Sequence, residues 1–477
     1  MKLAKNYAYN VLYQIFVLIV PLITVPYVSR VLGVTGVGIN AYTNSIIQYF
    51  ILFGSIGISL YGNRTIAYYR DNKQEMSKLF WEILILRAIT ILLAYLCFLI
   101  FLFFTDTFKM YFLYQSILIV AAAFDISWFF MGIEDFKKTV LRNVIVKILS
   151  IFLIFILIKT KEDLGLYILI LSLSQLLGNI TLWPYLKFNL VSIKGSKLEI
   201  KKHVNQSLAL FIPQIAIQIY LVLNKTMLGK MISVEAAGIF ENSDKIIKMI
   251  LAIVTASGTV LLPRVANMYR NGKNREVINL LYKSFNFSSF ISIPMMFGII
   301  AIGPKFAIWF FGQEFSEAGL IIQLLSIIIP LIGWSNVVGN QYLLPTNKLN
   351  LYTKSVTMGA VINFIFNFIL ISKYGLIGTA VATIIAELTV TATQFYYIKN
   401  EFSVKLLILP VIKYFVSGFV MYICILLINT RVQFGLLTMI VQVILAIIVY
   451  VSINILLKSS IITSFKLIIE KRLQKGR

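Results

Sequence analysis

Apolar residues in this chain come in blocks of roughly 20, the length a helix needs to cross a hydrocarbon core, and the blocks follow one another from residue 8 to residue 457. Soluble cores do not read this way. Hydrophobic residues make up 59% of the chain and charged residues 13%, against about 45–50% and about 25% in a soluble domain. The pattern predicts an all-α integral membrane protein with spans at 8–30, 39–62, 79–104, 110–131, 140–158, 164–186, 206–228, 237–262, 284–303, 318–341, 355–372, 375–397, 407–428 and 435–457. Fourteen spans put both termini on one side. The first block runs on to Arg30 and reads as a retained span rather than a cleaved leader.

Charge sets the direction. The net charge is +24, yet the basic residues lie in short tracts between apolar blocks. That placement fits anionic lipid at a cytoplasmic surface and argues against nucleic acid. With both termini in the cytoplasm, and with the span-end residues Arg142 and Arg30 counted with the inner and outer loops beside them, 29 of the 43 Lys and Arg fall on the inside and eight on the outside, as the positive-inside rule requires. The expected location is a bacterial plasma membrane. The longest inner segment, Lys187–Asn205, contains KGSKLEIKKHVNQ, which could form a short basic helix on the membrane surface. The longest outer loop is Pro304–Glu317.

The second half repeats the first at an offset of 200 residues. Between 30 and 73, nine of 44 positions are identical without a gap, among them Val34/Val234, Gly38/Gly238, Arg64/Arg264, Tyr69/Tyr269, Arg70/Arg270 and Lys73/Lys273. Six spans separate the copies, so both point the same way through the membrane. Such parallel repeats place a substrate path at the repeat interface. The predicted organisation is an N-terminal six-helix lobe (1–190), a cytoplasmic linker (191–205), a C-terminal six-helix lobe (206–400), and two extra helices with a basic tail (401–477).

Charge inside hydrocarbon costs roughly 2.5–3.5 kcal/mol per residue, so polar positions within spans are candidates for function. Glu241, Asp244, Lys245 and Lys248 recur at three- and four-residue steps, on one helix face. Asn40, Asn44 and Gln48 do the same in span two, where Asn44 matches Asp244 and Gln48 matches Lys248. Gln214, Gln218 and Lys225 extend the pattern in span seven, and Arg30 ends span one. The plain alternative for Asp244 and Lys248 is an i,i+4 ion pair that only lets the helix insert. Arg87 and Glu82 read as snorkelling side chains. Asp125 and Lys147 are candidates to pair with each other. Glu387, an isolated acid in an apolar stretch, binds an ion or proton or pairs with a base. Pro21, Pro26, Pro213, Pro294 and Pro330 are packing kinks or bend points.

Little points to an enzyme. There is no Walker loop, nucleophile elbow, paired-Asp site or Cys/His cluster. Cys97 and Cys424 sit in apolar blocks, and His203 sits in a basic loop with no partner pattern around it. No metal or cofactor is expected.

Several stretches carry a family resemblance: SRVLGVTGVGINAYTNSIIQYF from Ser29, DISWFFMGIEDFKKTVLRNVIVKILS from Asp125, NKTMLGKMISVEAAGIFENSDKI from Asn224 and YGLIGTAVATIIAE from Tyr374. They resemble the Wzx-type polysaccharide repeat-unit flippases of the multidrug/oligosaccharidyl-lipid/polysaccharide exporter superfamily. The resemblance implies two six-helix lobes around a central cavity lined by spans one, two, seven and eight. It also implies an undecaprenyl-diphosphate-linked oligosaccharide as substrate, moved by alternating access, with a polysaccharide polymerase as a candidate partner. Lys225, Lys245 and Lys248 would then offset the diphosphate charge, and Glu387 or Asp125 would serve ion coupling. Lipid II flippases of the superfamily carry arginines deep in the first two spans. Span two here has no basic residue, which lowers that alternative. A drug or cation exporter would favour an acidic cavity, and a membrane glycan polymerase a sizeable outer loop.

Overall fold

In the computed structural model, residues 2–193 and 197–463 are described, with the backbone alone given for 2–15, 136, 212–214, 216, 217, 220, 221, 257, 259, 260 and 404. The described residues form helices and short links without strands. They divide into two compact units, Met1–Gly238 and Ile239–Arg477.

The first unit begins with α1 (Lys2–Ser55). A straight helix of 54 residues would extend about 80 Å, well over twice the roughly 30 Å hydrocarbon core. The chain breaks instead at Gly33 (φ 68°, ψ −178°), a positive φ that a residue without Cβ adopts freely. There follow α2 (Ile58–Tyr69), α3 (Lys73–Phe103), α4 (Lys109–Phe124), α5 (Ser127–Gly132), α6 (Phe136–Leu157), α7 (Leu164–Ile180) and α8 (Lys202–Met231). Links alternate between two ends. At one end Gly36 meets Leu164, Gly165 meets Tyr111 and Tyr114, and Gly38 meets Val234. At the other, Arg70 pairs with Glu134 at 2.7 Å, Gly132 packs on Ile66 and Trp183 donates to the Phe124 carbonyl.

The second unit takes most of α9 (Val234–Arg270), then α10 (Asn274–Phe311), α11 (Ala318–Ser326), α12 (Ile328–Ser335), a π-helical turn at Asn336–Leu343, α13 (Leu349–Ile398), α14 (Val404–Arg431) and α15 (Leu436–Leu456). The 50-residue α13 also breaks at a glycine, Gly375 (φ 55°). Its two arms pack closely: Gly378 lies against Leu370, Gly359 against Val390 and Ala386, and Gln394 donates to Ser355. Among the described residues, eleven helical stretches are long and apolar enough to cross a membrane. Two of these, broken at Gly33 and Gly375, supply two passes each, and α8 adds one more. The result is the expected fourteen in an all-α membrane fold.

Three local expectations change. KGSKLEIKKHVNQ makes no separate surface helix among its described residues; Lys197–Glu199 are irregular and Lys202–Gln206 begin α8. Pro304 lies inside α10, so the loop expected from Pro304 is confined to Gly312–Glu317. Bends fall at Gly33, Gly57 and Gly375, whereas Pro21, Pro26 and Pro294 lie inside helices and Pro330 occupies the first turn of α12, where no backbone donor is missed.

The repeat extends into side-chain packing. Phe80 of α3 stacks on Trp128 at 5.5 Å and 25°, and Phe285 of α10 stacks on Trp334 at 5.8 Å and 25°. Glu134 and Asn347 both take the left-handed conformation (φ 60° and 61°). The following amides close the same turn, Asp135 to Phe130 at 2.8 Å and Lys348 to Leu343 at 2.9 Å.

Candidate functional site

In the first unit, α8 runs antiparallel to the arm of α1 beyond Gly33. Ser207 donates to the Ile56 carbonyl, Phe211 meets Phe53, and Thr226 reaches Ser45 at 2.8 Å and Tyr49 at 3.3 Å. Gly229 lies under the Tyr42 ring, and Val234 touches Gly38. Small and hydroxyl side chains permit this approach, as in membrane helix pairs generally. The expected polar residues of these two helices differ in exposure. Asn44, Gln48 and Lys225 are half-buried, while Arg30 and Gln218 are exposed. Asn40 accepts from Gln115 at 2.9 Å. The Gln214 side chain lies outside the described residues.

In the second unit, the α9 stripe consists of two i,i+4 ion pairs: Glu241 with Lys245 at 3.1 Å and Asp244 with Lys248 at 2.6 Å. The pairing expected as the plain alternative is therefore present. Both carboxylates are 16% exposed, whereas Lys245 is 36% and Lys248 45% exposed. The stripe presents ammonium groups outward and holds the acids beneath them.

Two expectations about α3 and α4 are corrected. Arg87 is buried. Its guanidinium donates to the Ala122 carbonyl, to Ser59 and to Asp125. It therefore does not snorkel, and Asp125 pairs with Arg87 at 3.4 Å rather than with Lys147. Asp125 also ends α4, its carboxylate accepting from the Ser127 amide and its carbonyl from Trp128. Glu387 is buried in the second arm of α13. The register of the two arms sets it level with Asn363, which is fully buried and bonded to Asn367 at 2.9 Å; Thr383 and Thr379 lie on the same face, one and two turns back. A carboxylate among amide and hydroxyl oxygens can take a proton or a small cation.

Sequence reading missed one cluster. Glu82, completely buried, accepts from His203 Nε2 at 2.7 Å and from the Glu199 amide at 2.7 Å, with Lys202 at 3.3 Å. His203 Nδ1 meets the Tyr61 hydroxyl at 2.6 Å. The available signal was one acid nine residues into an apolar helix and one histidine beginning another; nothing in their spacing joins them.

The model for the family described as polysaccharide biosynthesis protein matches residues 3–269, more than half of the chain. A candidate O-antigen transporter of Escherichia coli is 24% identical over 421 residues, covering 84% of this chain and 98% of that protein. A capsular polysaccharide biosynthesis protein, CapF, of Staphylococcus aureus is 23% identical, covering 56% and 69%. Among solved structures, the lipid II flippase MurJ in an inward closed conformation aligns over 96% of this chain and 100% of its own with a TM-score of 0.75 and 16% identity. An inward-facing multidrug resistance MATE transporter aligns over 80% and 98% with a TM-score of 0.58 and 13% identity.

Proposed function

The chain belongs to the polysaccharide biosynthesis protein family, and we propose from that premise that it is a flippase for an undecaprenyl-diphosphate-linked oligosaccharide, working by alternating access in a bacterial plasma membrane. The observation that carries the reading is the exposure of Lys248 and Lys245 on a membrane-spanning helix, above carboxylates held 2.6 and 3.1 Å away. Charge of that kind is too costly against hydrocarbon, so these ammonium groups stand in water or beside an anionic cargo. A diphosphate supplies the complementary charge. Lys225, Arg30, Asn44, Gln48, Gln214 and Gln218 complete the proposed passage, with residues 1–190 and 206–400 as its two lobes and 191–205 as the linker. Glu387 is the proposed coupling site for a proton or cation; Asp125, held by Arg87, is the weaker one. A polymerase that consumes the delivered unit is the proposed partner.

Cells lacking the protein should accumulate the lipid-linked oligosaccharide on the cytoplasmic face. Accumulation of polymerised glycan, or no accumulation, contradicts the reading. The proposed orientation has its own test with single cysteines and an impermeant thiol reagent in intact cells. A cysteine in the Gly312–Glu317 loop should be labelled, and one at Lys197 should not.

A further inference from the structure

We propose that Glu82 is a proton-binding site whose occupancy is linked to the position of the linker–α8 junction. The carboxylate is fully buried in α3, and its close partners come from one side. The Glu199 amide lies 2.7 Å away, His203 Nε2 2.7 Å and Lys202 Nζ 3.3 Å, all within five residues of chain. Its own helix offers only Lys78, at 3.9 Å, an i,i+4 contact of the weak kind. From α2, the Tyr61 hydroxyl binds the far side of His203 and Gln206, and Arg64 adds positive charge near Tyr61. Lys202 also pairs with Glu199 at 3.2 Å, so this cation and acid leave together if the junction moves.

With the junction docked, Glu82 is an anion neutralised by hydrogen bonds and a lysine. With the junction lifted, the same carboxylate stays within α3 and has lost its close donors. A buried charge stripped of its partners is strongly disfavoured, and a carboxyl relieves the cost by taking a proton. Undocking and proton uptake are thus one linked event. The sign follows: the docked state is favoured by the ionised carboxylate, so it holds at higher pH and weakens as pH falls. The junction has a place to pivot, since Gly57, at φ +73°, packs against the Ser207 carbonyl and the Phe211 amide. This proposal concerns the helix junction alone and does not depend on what the protein transports.

The test uses the full chain in lipid nanodiscs, with Cys97 and Cys424 changed to Ser and spin labels at Gln74→Cys and Asn205→Cys, both exposed positions. Electron–electron distances are measured at pH 8 and pH 5.5. The expected result is one narrow distribution at pH 8 and a growing longer population at pH 5.5. Glu82→Gln should show the longer population at both pH values. His203→Gln keeps a donor beside Glu82 and should keep the acid response. Infrared difference spectra of the unlabelled protein, pH 5.5 minus pH 8, should show a protonated buried carboxyl band. That measurement stands even if Glu82→Gln fails to fold. An unchanged distribution, no carboxyl band, an acid response that survives in Glu82→Gln, or one that vanishes in His203→Gln overturns the proposal. The last outcome would assign the proton to the imidazole.

Discussion

Gly38 and Gly238 pack backbone against backbone, and each also meets the other copy's valine: a Cβ on Gly38 would lie 2.0 Å from the Val234 carbonyl oxygen, and one on Gly238 would lie 2.8 Å from the Val34 carbonyl oxygen. The contact joins, within the first unit, positions that the repeat makes equivalent. Thr35 adds a hydrogen bond to its own counterpart, Glu235, at 3.0 Å.

This contact predicts a cross-link. In a chain with Cys97 and Cys424 changed to Ser, cysteines at Thr35 and Glu235, whose side chains meet at 3.0 Å, should join readily under mild oxidation. The joined protein should not transport if this seam opens in the cycle. Gly38→Ala should lower the cross-linking yield several-fold, because the added methyl meets backbone atoms that cannot rotate away. Unchanged yield in Gly38→Ala, measured by gel shift, would mean that the seam is looser than the structure has it.

The stacked pairs bear on stability. Trp128 is buried against Phe80, and its ring covers Gly62. Trp128→Ala should cost about 3–5 kcal/mol, as for other buried large-to-small aromatic changes, and lower the thermal unfolding midpoint clearly. Phe103, 77% exposed on α3, serves as control: Phe103→Ala should leave the midpoint nearly unchanged in the same detergent.

Arg87 is expected to matter for folding rather than for cargo. Removing it leaves Asp125, 24% exposed and still accepting from the Ser127 amide, without its cation; breaking a fully buried pair from one side costs about 3–5 kcal/mol, and this pair should cost somewhat less. Arg87→Ala should therefore reduce the amount of inserted protein. The double change Arg87→Met with Asp125→Leu should recover much of it, because the charge left unpaired in the single variant is then gone. Membrane-fraction immunoblots decide this. Normal abundance of Arg87→Ala would show that Asp125 is satisfied without it.

The number of spans was legible because apolar length is a one-dimensional signal, and the repeat was legible in Arg64, Tyr69, Arg70 and Lys73. The i,i+4 stripe of α9 was legible too, since helix geometry fixes which residues share a face. Long-range partners were not. Glu82 reaches His203 and Arg87 reaches Asp125 only after α2, α3, α4 and α8 have packed; before that, each reads as a lone charge best placed near an interface. The breaks at Gly33 and Gly375 depend on a backbone conformation that glycine permits but does not announce. Among the prolines inside helices, Pro21, Pro26 and Pro294 gave the more obvious signal and mark no break.

The central claim is that Lys225 and Lys248 serve an anionic cargo. The direct measurement is the rate at which undecaprenyl-diphosphate-linked oligosaccharide crosses the bilayer of proteoliposomes holding equal amounts of each variant. Loss of a charge-assisted contact is worth about 1.5–3 kcal/mol, so Lys225→Ala and Lys248→Ala should each slow flipping by about tenfold or more. Lys→Arg at either position should retain more activity, since the charge is kept while the geometry changes. Flipping at the unmodified rate by both alanine variants, with normal insertion, would contradict the account.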